Sequence, residues 1–328
     1  MIKLCGRALL GLAAGLVAAI GLGSPAAAQH KLKWAHVYET NEPYHTQALW
    51  AAAEIAKRTN NKYRIEVFPA SQLGNEPNIN EALSIGALDI IYTGVSFIAS
   101  SYKPISVSNA PYMFRDFDHW MKFRASRLFR DLAAGYDRQT GHHIAALTYY
   151  GERHVTANKP ISKPDDMRGL KLRVPQAPLY LLFARSVGAI PVPIAFSEVY
   201  PALQQGVVDG QENPLPTIMA KRFYEVQSHV SLTGHITESL VTIVGRHVWS
   251  RLDDEDRKIF DDVLRQAADR ATAETRAAER KLPPELEKLG KTVIRPDREA
   301  FRKAVQPLLT GPDAMWSKAQ YEAVQAIR

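Results

Sequence analysis

The chain has 328 residues, a formal net charge of +7, one cysteine and 23% charged residues. That length allows one large domain or two of ordinary size, and an apolar fraction of 46% with 9% aromatics excludes wholesale disorder. A negative mean hydropathy excludes a polytopic membrane protein, a single cysteine excludes a disulfide framework or a thiolate-rich zinc site, and 34 acidic residues spread among 41 basic ones argue against a nucleic-acid partner.

The N-terminus has the grammar of an export signal. A short basic region with Lys3 and Arg7 precedes an apolar run from Ala8 to about Gly23, and Ala26 and Ala28 supply small residues two apart before Gln29. The expectation is a cleaved signal peptide over residues 1–28 and a periplasmic protein. The processed chain would keep 300 residues and no cysteine, and its net charge would be +5, because Lys3, Cys5 and Arg7 all belong to the leader. Such a chain is held by core packing alone, and 300 residues suffice for two cores.

Taken in order, residues 31–37 alternate as a strand, and Pro43 suits the start of a helix over 44–59 carrying Ala48, Leu49, Ala52, Ile55 and Ala56 at helical spacing. Residues 63–68 alternate again, a helix follows around 76–86, and 88–93 form a third strand. This alternation predicts an α/β lobe with a mainly parallel sheet, whose ligand rim lies beyond the carboxyl ends of the strands, at His36–Glu39, Pro69–Gly74 and Tyr92–Ser96. A second α/β unit is expected from about 151, with strands at 170–174 and 189–193, helices at 178–187 and 197–206, and the turn Asp209-Gly210 leading into Gln211 to Pro214. From Asp253 a helix with acids in its first turn runs to about Leu282, where Pro283 and Pro284 are expected to end it. At ~1.5 Å per residue it would reach roughly 45 Å, long enough to bridge two lobes. The expected division is a first lobe of 29–150 plus about 239–278 and a second of 151–238 plus about 279–328. The long helix is equally suited to pack between protomers, so the oligomeric state stays open.

Catalytic signatures are missing. The sequence has no glycine-rich nucleotide fingerprint, P-loop, nucleophile elbow or zinc-protease motif, and no processed thiol. Neither a cofactor nor a metal is expected. His142 and His143 read as a solvated loop pair, Asp165 and Asp166 as a helix cap, and Asp253 to Asp256 as a helix start. What remains is cationic. Arg153 follows an apolar stretch, and Arg173 lies inside a short apolar strand between Leu172 and Val174, a position that demands an anion. A structural carboxylate and a ligand carboxylate both satisfy that demand.

Phe68-Pro69-x-Ser71-Gln72-Leu73-Gly74, Gly86-x-x-Asp89-Ile90, Gly151-Glu152-Arg153, Lys159-Pro160-Ile161, the run Pro164 to Pro175, and above all Ala195 to Tyr200 with Asp209 to Pro214 resemble the extracytoplasmic solute-binding subunits of TRAP transporters. The resemblance covers nearly the whole processed chain. It implies a two-domain α/β fold of the periplasmic-binding-protein kind, with a ligand cleft between the domains and a long domain-spanning helix. It also implies capture of an organic acid without an enzymatic step, and delivery to small and large membrane subunits driven by a sodium gradient. Carried over by position, Arg173 grips the ligand carboxylate, Arg153 supports it, Asn213 binds the same end, Phe196 forms an apolar wall, and Gln176 falls where an asparagine often bonds the ligand.

On the first-lobe rim, the positions matched to the sugar contacts of the sialic-acid branch are His36, Thr93 and Ser96, with no arginine or glutamate at the latter two. The expected ligand is therefore a sugar acid such as a uronate or aldonate, followed by aromatic hydroxy- or keto-acids and C4-dicarboxylates. His36, Glu39 and Gln72 are candidates for sugar hydroxyls, and Trp34, Tyr38 and Tyr92 for stacking. A secreted α/β enzyme acting on an organic acid and a ligand sensor for a receptor remain as alternatives. Turnover separates the first, and the identity of the membrane partner the second.

Overall fold

The computed structural model describes residues 29–311 and 314–328; the apolar leader, Cys5 and the Ala28 boundary lie outside them. The first lobe opens with β1 (His30–Ala35), α1 (Pro43–Arg58), β2 (Tyr63–Phe68), α2 (Glu76–Ser84) and β3 (Ile90–Gly94). β1 pairs in parallel with β2 from His30↔Tyr63 to Ala35↔Phe68, and with β3 at Trp34↔Ile90. α1 starts on Pro43 and buries Ala48, Ala51, Ala52 and Ile55. Asn75 caps α2 reciprocally with Asn78. α3 (Val95–Ile98), α4 (Phe117–Ala125) and α5 (Arg127–Thr140) follow.

β4 (His143–Ala157) then runs out of the first lobe and into the second, where β5 (Lys171–Val174), α6 (Leu181–Ser186), β6 (Ile190–Pro193), α7 (Val199–Gln204), β7 (Gly210–Pro214) and α8 (Leu215–Ala220) build the second unit. β8 (His229–Val244) returns antiparallel to β4 along its length. The chain closes with α9 (Arg246–Trp249), α10 (Asp254–Lys288), β9 (Thr292–Ile294), α11 (Arg298–Leu309) and α12 (Lys318–Gln325). The sheet order is β2-β1-β3-β8-β4-β7-β5-β6, with β9 on β8. β3 joins the first-lobe half of β8, and β7 joins the second-lobe half of β4, so these two long strands are the only sheet connection between the lobes among the described residues. Their pairing shifts register at Tyr149/Gly151 and again at Arg153/Val155. Gly151 supplies the left-handed backbone there (φ +123°), and a Cβ would come within 2.7 Å of Pro214 Cβ.

α10 packs on α1 of the first lobe, on α8 of the second and on β4 between them, and Asp253 caps it by accepting from the Asp256 N–H at 2.9 Å. It does not end at the prolines. It continues through Pro283 and Pro284 for 35 residues in all. An interior proline costs about 3 kcal/mol in an isolated helix. Here Leu282 and Leu286 are buried on either side of the pair, and each buried leucine returns about 1.5–3 kcal/mol. The tail also departs from its expected lobe. α12 lies against the first lobe, where Val324 O bonds the His119 ring at 3.0 Å and Gln325 Nε2 donates to Met113 O at 2.6 Å.

His142 and His143 are not a solvated loop. His142 is buried and its Nδ1 accepts from the Arg246 N–H at 3.1 Å. His143 opens β4, bonds Asp137 at 2.7 Å and Asp261 at 2.8 Å, and stacks on Trp249 at 3.7 Å. Asp166 does cap its turn, accepting from the N–H groups of Ser162 and Lys163. No helix among the described residues is long and apolar enough to cross a membrane.

Candidate ligand site

Between the lobes, where β3, β5 and β7 present their carboxyl ends, a small cavity is enclosed. Its walls include Tyr38, Glu76, Gly94 and Phe97 from the first lobe, Arg173, Tyr180, Phe196 and Asn213 from the second, and Tyr150, Arg153 and Glu238 from the crossing strands. Its volume is about 10 Å³, room for about one water, so the lobes must part to admit an organic acid.

Two arginines line this cavity, and their surroundings differ. Arg153 is held by two carboxylates. Its Nε and Nη2 meet the Glu212 carboxylate, Nη2 also donates to Glu212 O at 2.6 Å, and Nη1 meets Glu238. Both partners are buried, and Glu238 also accepts from the Tyr180 hydroxyl while Glu212 bonds His235 at 3.0 Å. Arg153 therefore ties β4, β7 and β8 together where they cross between lobes.

Arg173, on β5, is 1% exposed. Its Nε and Nη2 both donate to Ile194 O, at 3.0 and 2.7 Å, while Nη1 is buried without any hydrogen-bond partner among the described residues. Burial draws its pKa down to about 10, with Glu76 pulling the other way, so it stays charged at neutral pH. A buried guanidinium with one amine unmatched is a costly arrangement that an incoming carboxylate would relieve.

Around Arg173 the second lobe supplies a wall and an amide. The Phe196 ring lies 6.0 Å from the guanidinium carbon and 5.0 Å from Lys221 Nζ. Asn213, on β7, donates to Gln211 Oε1 at 2.6 Å, and Gln211 donates to Thr156 Oγ1 at 3.0 Å. This relay fixes the Asn213 amide and leaves its second N–H for a ligand. From the first lobe, Glu76 lines the cavity from the first turn of α2, where burial raises its pKa against the pull of its own backbone N–H and of Arg173. Gly94 ends β3 where a Cβ would come within 2.9 Å of Tyr180 Oη and 3.2 Å of Glu238 Oε1, so the close fit between the lobes depends on a glycine there.

Of the residues singled out in the sequence, Arg173, Arg153, Asn213, Phe196 and Tyr38 meet at the cavity. The others sit elsewhere. His36 is buried, its Nδ1 accepting from the Tyr38 N–H and its Nε2 facing His45 at 3.2 Å; burial, with His45 nearby, lowers its pKa to about 3. Tyr92 packs in the core against Trp34, with ring centroids 5.0 Å apart. Glu39 pairs across the lobes with Lys221 at 2.6 Å. Gln72 is exposed on the loop after β2, and Gln176 is exposed in a recess outside the cavity. Thr93 and Ser96 accept from Asn80 and Asn109 at 2.8 Å each.

Tyr150, Tyr180, Glu76, Glu238 and Phe97 were not anticipated. Glu238 carried the signal that exposed Arg173, a charged residue inside an apolar strand run. Glu76 was masked because an acid just after a cap reads as a helix start. A larger groove of about 580 Å³ lies in the first lobe between α5, the free edge of β4 and α10. Part of its charged rim is paired, as in Arg124–Asp269 at 2.6 Å, and among the described residues none of its lining side chains carries a buried unmatched polar atom.

Two lobes closing over a buried, incompletely matched guanidinium define a binding protein for a small carboxylate. Comparison with known proteins agrees. The profile of bacterial extracellular solute-binding protein family 7 matches residues 34–314. The sialic acid-binding periplasmic protein SiaP of Vibrio cholerae is 33% identical over 264 residues, covering 80% of this chain and 82% of that one. A TRAP periplasmic solute-binding protein from a Polaromonas species, solved with D-erythronate, superposes with a TM-score of 0.87 at 31% identity, over 92% of this chain and 99% of that one. One from Actinobacillus succinogenes with L-galactonate gives a TM-score of 0.85 at 30% identity, over 90% and 98%. The chain belongs to this family, the solute-binding subunits of TRAP transporters, which are transport components rather than enzymes.

Proposed function

We propose that the protein captures a sugar acid of the aldonate or uronate type in the periplasm, gripping its carboxylate with Arg173 and Asn213, and presents it to the small and large membrane subunits of a TRAP permease. The observation that carries this reading is the buried Nη1 of Arg173 without a partner, in a cavity walled by both lobes. The charge-assisted pair it would form is worth about 1.5–3 kcal/mol, and carboxylate is the group that matches a guanidinium fork. Arg153 acts behind it by holding the crossing strands. The Tyr150 hydroxyl shares a hydrogen bond of 2.9 Å with Thr217 Oγ1, whose own proton goes to Glu42 at 2.7 Å, so Tyr150 meets a ligand hydroxyl as an acceptor, and the Glu76 carboxylate is an acceptor on the opposite wall. Tyr38 and Phe196, with ring centroids 6.4 Å apart, offer apolar faces to the carbon chain. The names of the erythronate and galactonate proteins support a hydroxylated acid.

The leader is removed after Ala28 on this reading, which N-terminal sequencing of the exported protein checks. The lobes divide near residues 150, 238 and 278, and α12 returns to the first. A thermal-shift panel of aldonates, uronates, aromatic acids and C4-dicarboxylates, followed by calorimetry, tests the ligand class, because a ligand bound only by the folded state raises stability as RT ln(1 + [L]/Kd). Binding of a neutral sugar as tightly as its acid would overturn the carboxylate clamp.

A further inference from the structure

The cavity has a neighbour. A recess of about 370 Å³ lies on the outer side of the cleft, between Asn80, Ser96 and Ser100 of the first lobe and Gln176 of the second. Arg173 lines the cavity but not the recess, Gln176 lines the recess but not the cavity, and Phe97 lines both. Phe97 leans on Tyr180, with ring centroids 5.9 Å apart, and its ring edge comes within 3.5 Å of where a Cβ on Gly94 would sit. Phe97 comes from the first lobe and Tyr180 from the second, so this partition is complete only when the lobes are closed.

We propose that Phe97 is the end wall of the ligand site and sets the greatest length of acid the protein accepts; the inference rests on the carboxylate clamp at Arg173. A chain anchored at Arg173 and growing toward the recess meets an aromatic ring, which offers no hydrogen bond to a hydroxylated tail and no space for it. Beyond the ring the recess has the chemistry of a polyol subsite. The Asn80 amide spends its N–H groups on Glu76 O and Thr93 Oγ1, which leaves its oxygen as an acceptor. Ser96 accepts from Asn109, which leaves its hydroxyl proton to donate. Gln176 brings an exposed amide from the other lobe. Removing the ring joins this subsite to the cavity. The native ligand is therefore an acid short enough to end at the ring, and the recess takes no part in holding it.

The test is calorimetric titration of wild type, Phe97→Ala, Phe97→Trp and Arg173→Ala with erythronate, galactonate and sialic acid, a four-, six- and nine-carbon series. Melting curves check that each variant is folded; Phe97 is only partly buried, and Phe97→Leu stands in if the alanine variant is not. Wild type is expected to bind a shorter acid at least tenfold more tightly than sialic acid. Phe97→Ala should narrow that ratio at least tenfold, and Phe97→Trp should weaken galactonate more than erythronate. Sialic acid binding wild type as tightly as the shorter acids, or an unchanged ratio in a folded Phe97→Ala or Phe97→Leu, overturns the inference. In either case loss of binding in Arg173→Ala shows that the clamp survives. Acids that bind Arg173→Ala as tightly as wild type, or no binding of any probe, overturn the clamp and the length selector with it.

Discussion

Replacing Arg173 by alanine separates ligand recognition from folding. The lost interaction is a charge-assisted bond in a buried site, about 1.5–3 kcal/mol, and the expected loss is at least ~2 kcal/mol, about thirtyfold in Kd. The ligand-free protein should change far less. Ile194 O loses two donors, an orphaned acceptor costing about 1–3 kcal/mol, but a buried charge with an unmatched amine is removed at the same time. These effects oppose, and the net change in ligand-free stability should stay within about 1 kcal/mol. At a ligand concentration near 100 times the wild-type Kd, binding stabilises the wild type by about 2.7 kcal/mol; a thirtyfold weaker site leaves about 0.9 kcal/mol. The ligand-induced rise in melting temperature should therefore fall to about a third while the ligand-free melting temperature hardly moves. Arg173→Lys should lie between, since an ammonium keeps the charge but cannot hold Ile194 O and a carboxylate through one rigid fork. Calorimetry gives the Kd and scanning fluorimetry the two melting temperatures. A Kd for Arg173→Ala within threefold of wild type refutes the reasoning.

Arg153→Ala should behave in the opposite way. It strands the buried Glu212 and Glu238 carboxylates and should cost about 3–5 kcal/mol in urea unfolding without ligand; wild-type stability there would show that Arg153 does not brace the crossing strands. Gly94→Ala pushes a methyl toward Tyr180 and Glu238. It should weaken ligand binding at least tenfold and reduce the ligand-induced compaction seen by solution scattering, with little change in ligand-free stability. For His143, burial works against the charge, but Asp137 and Asp261 outweigh it and raise the pKa to about 9. Its stabilisation is present below the unfolded pKa of about 6.5 and is lost as pH rises through about 9. His143→Gln should remove about 2 kcal/mol at pH 6 and much less at pH 10, measured by urea unfolding at both.

Much of the fold was legible because its elements have clean local signals. β2 at Tyr63–Phe68 matches its alternation to the residue, α1 begins on Pro43, and Asp253 caps α10. The failures share one cause, which is tertiary packing acting on residues whose local chemistry says something else. Pro283 and Pro284 carry a stop signal that buried Leu282 and Leu286 override. His142 and His143 look polar and mobile, yet contacts with Asp137 nearby and with Arg246, Asp261 and Trp249 far along the chain hold them, and the last three lie at a distance no local window covers. The site divides along the same line. Arg173 stood out as a charge inside an apolar strand, a local anomaly, whereas Asn213 was singled out only through the resemblance to TRAP solute-binding subunits. Tyr150, Tyr180 and Phe97 look like ordinary core aromatics, and only the pairing of β4 with β7 and β8, and the approach of the lobes, brings them together at the cavity.

The two arginines show why net charge says little about such a protein. Both are buried within the same cavity wall, and pattern alone treats them as equivalents. The fold supplies Arg153 with two carboxylates, which two further groups, Tyr180 and His235, hold in place, so its charge is neutralised before any ligand arrives. It supplies Arg173 with one carbonyl oxygen and leaves an amine unmatched. The demand for an anion is thus built by withholding a partner at one position while over-providing at its neighbour. Adding a carboxylate within reach of Arg173 should abolish that demand without altering the fold, whereas changing surface charges should leave it intact. On the proposed reading, selectivity for an acid follows from this local imbalance within one cleft and not from the net charge of the chain.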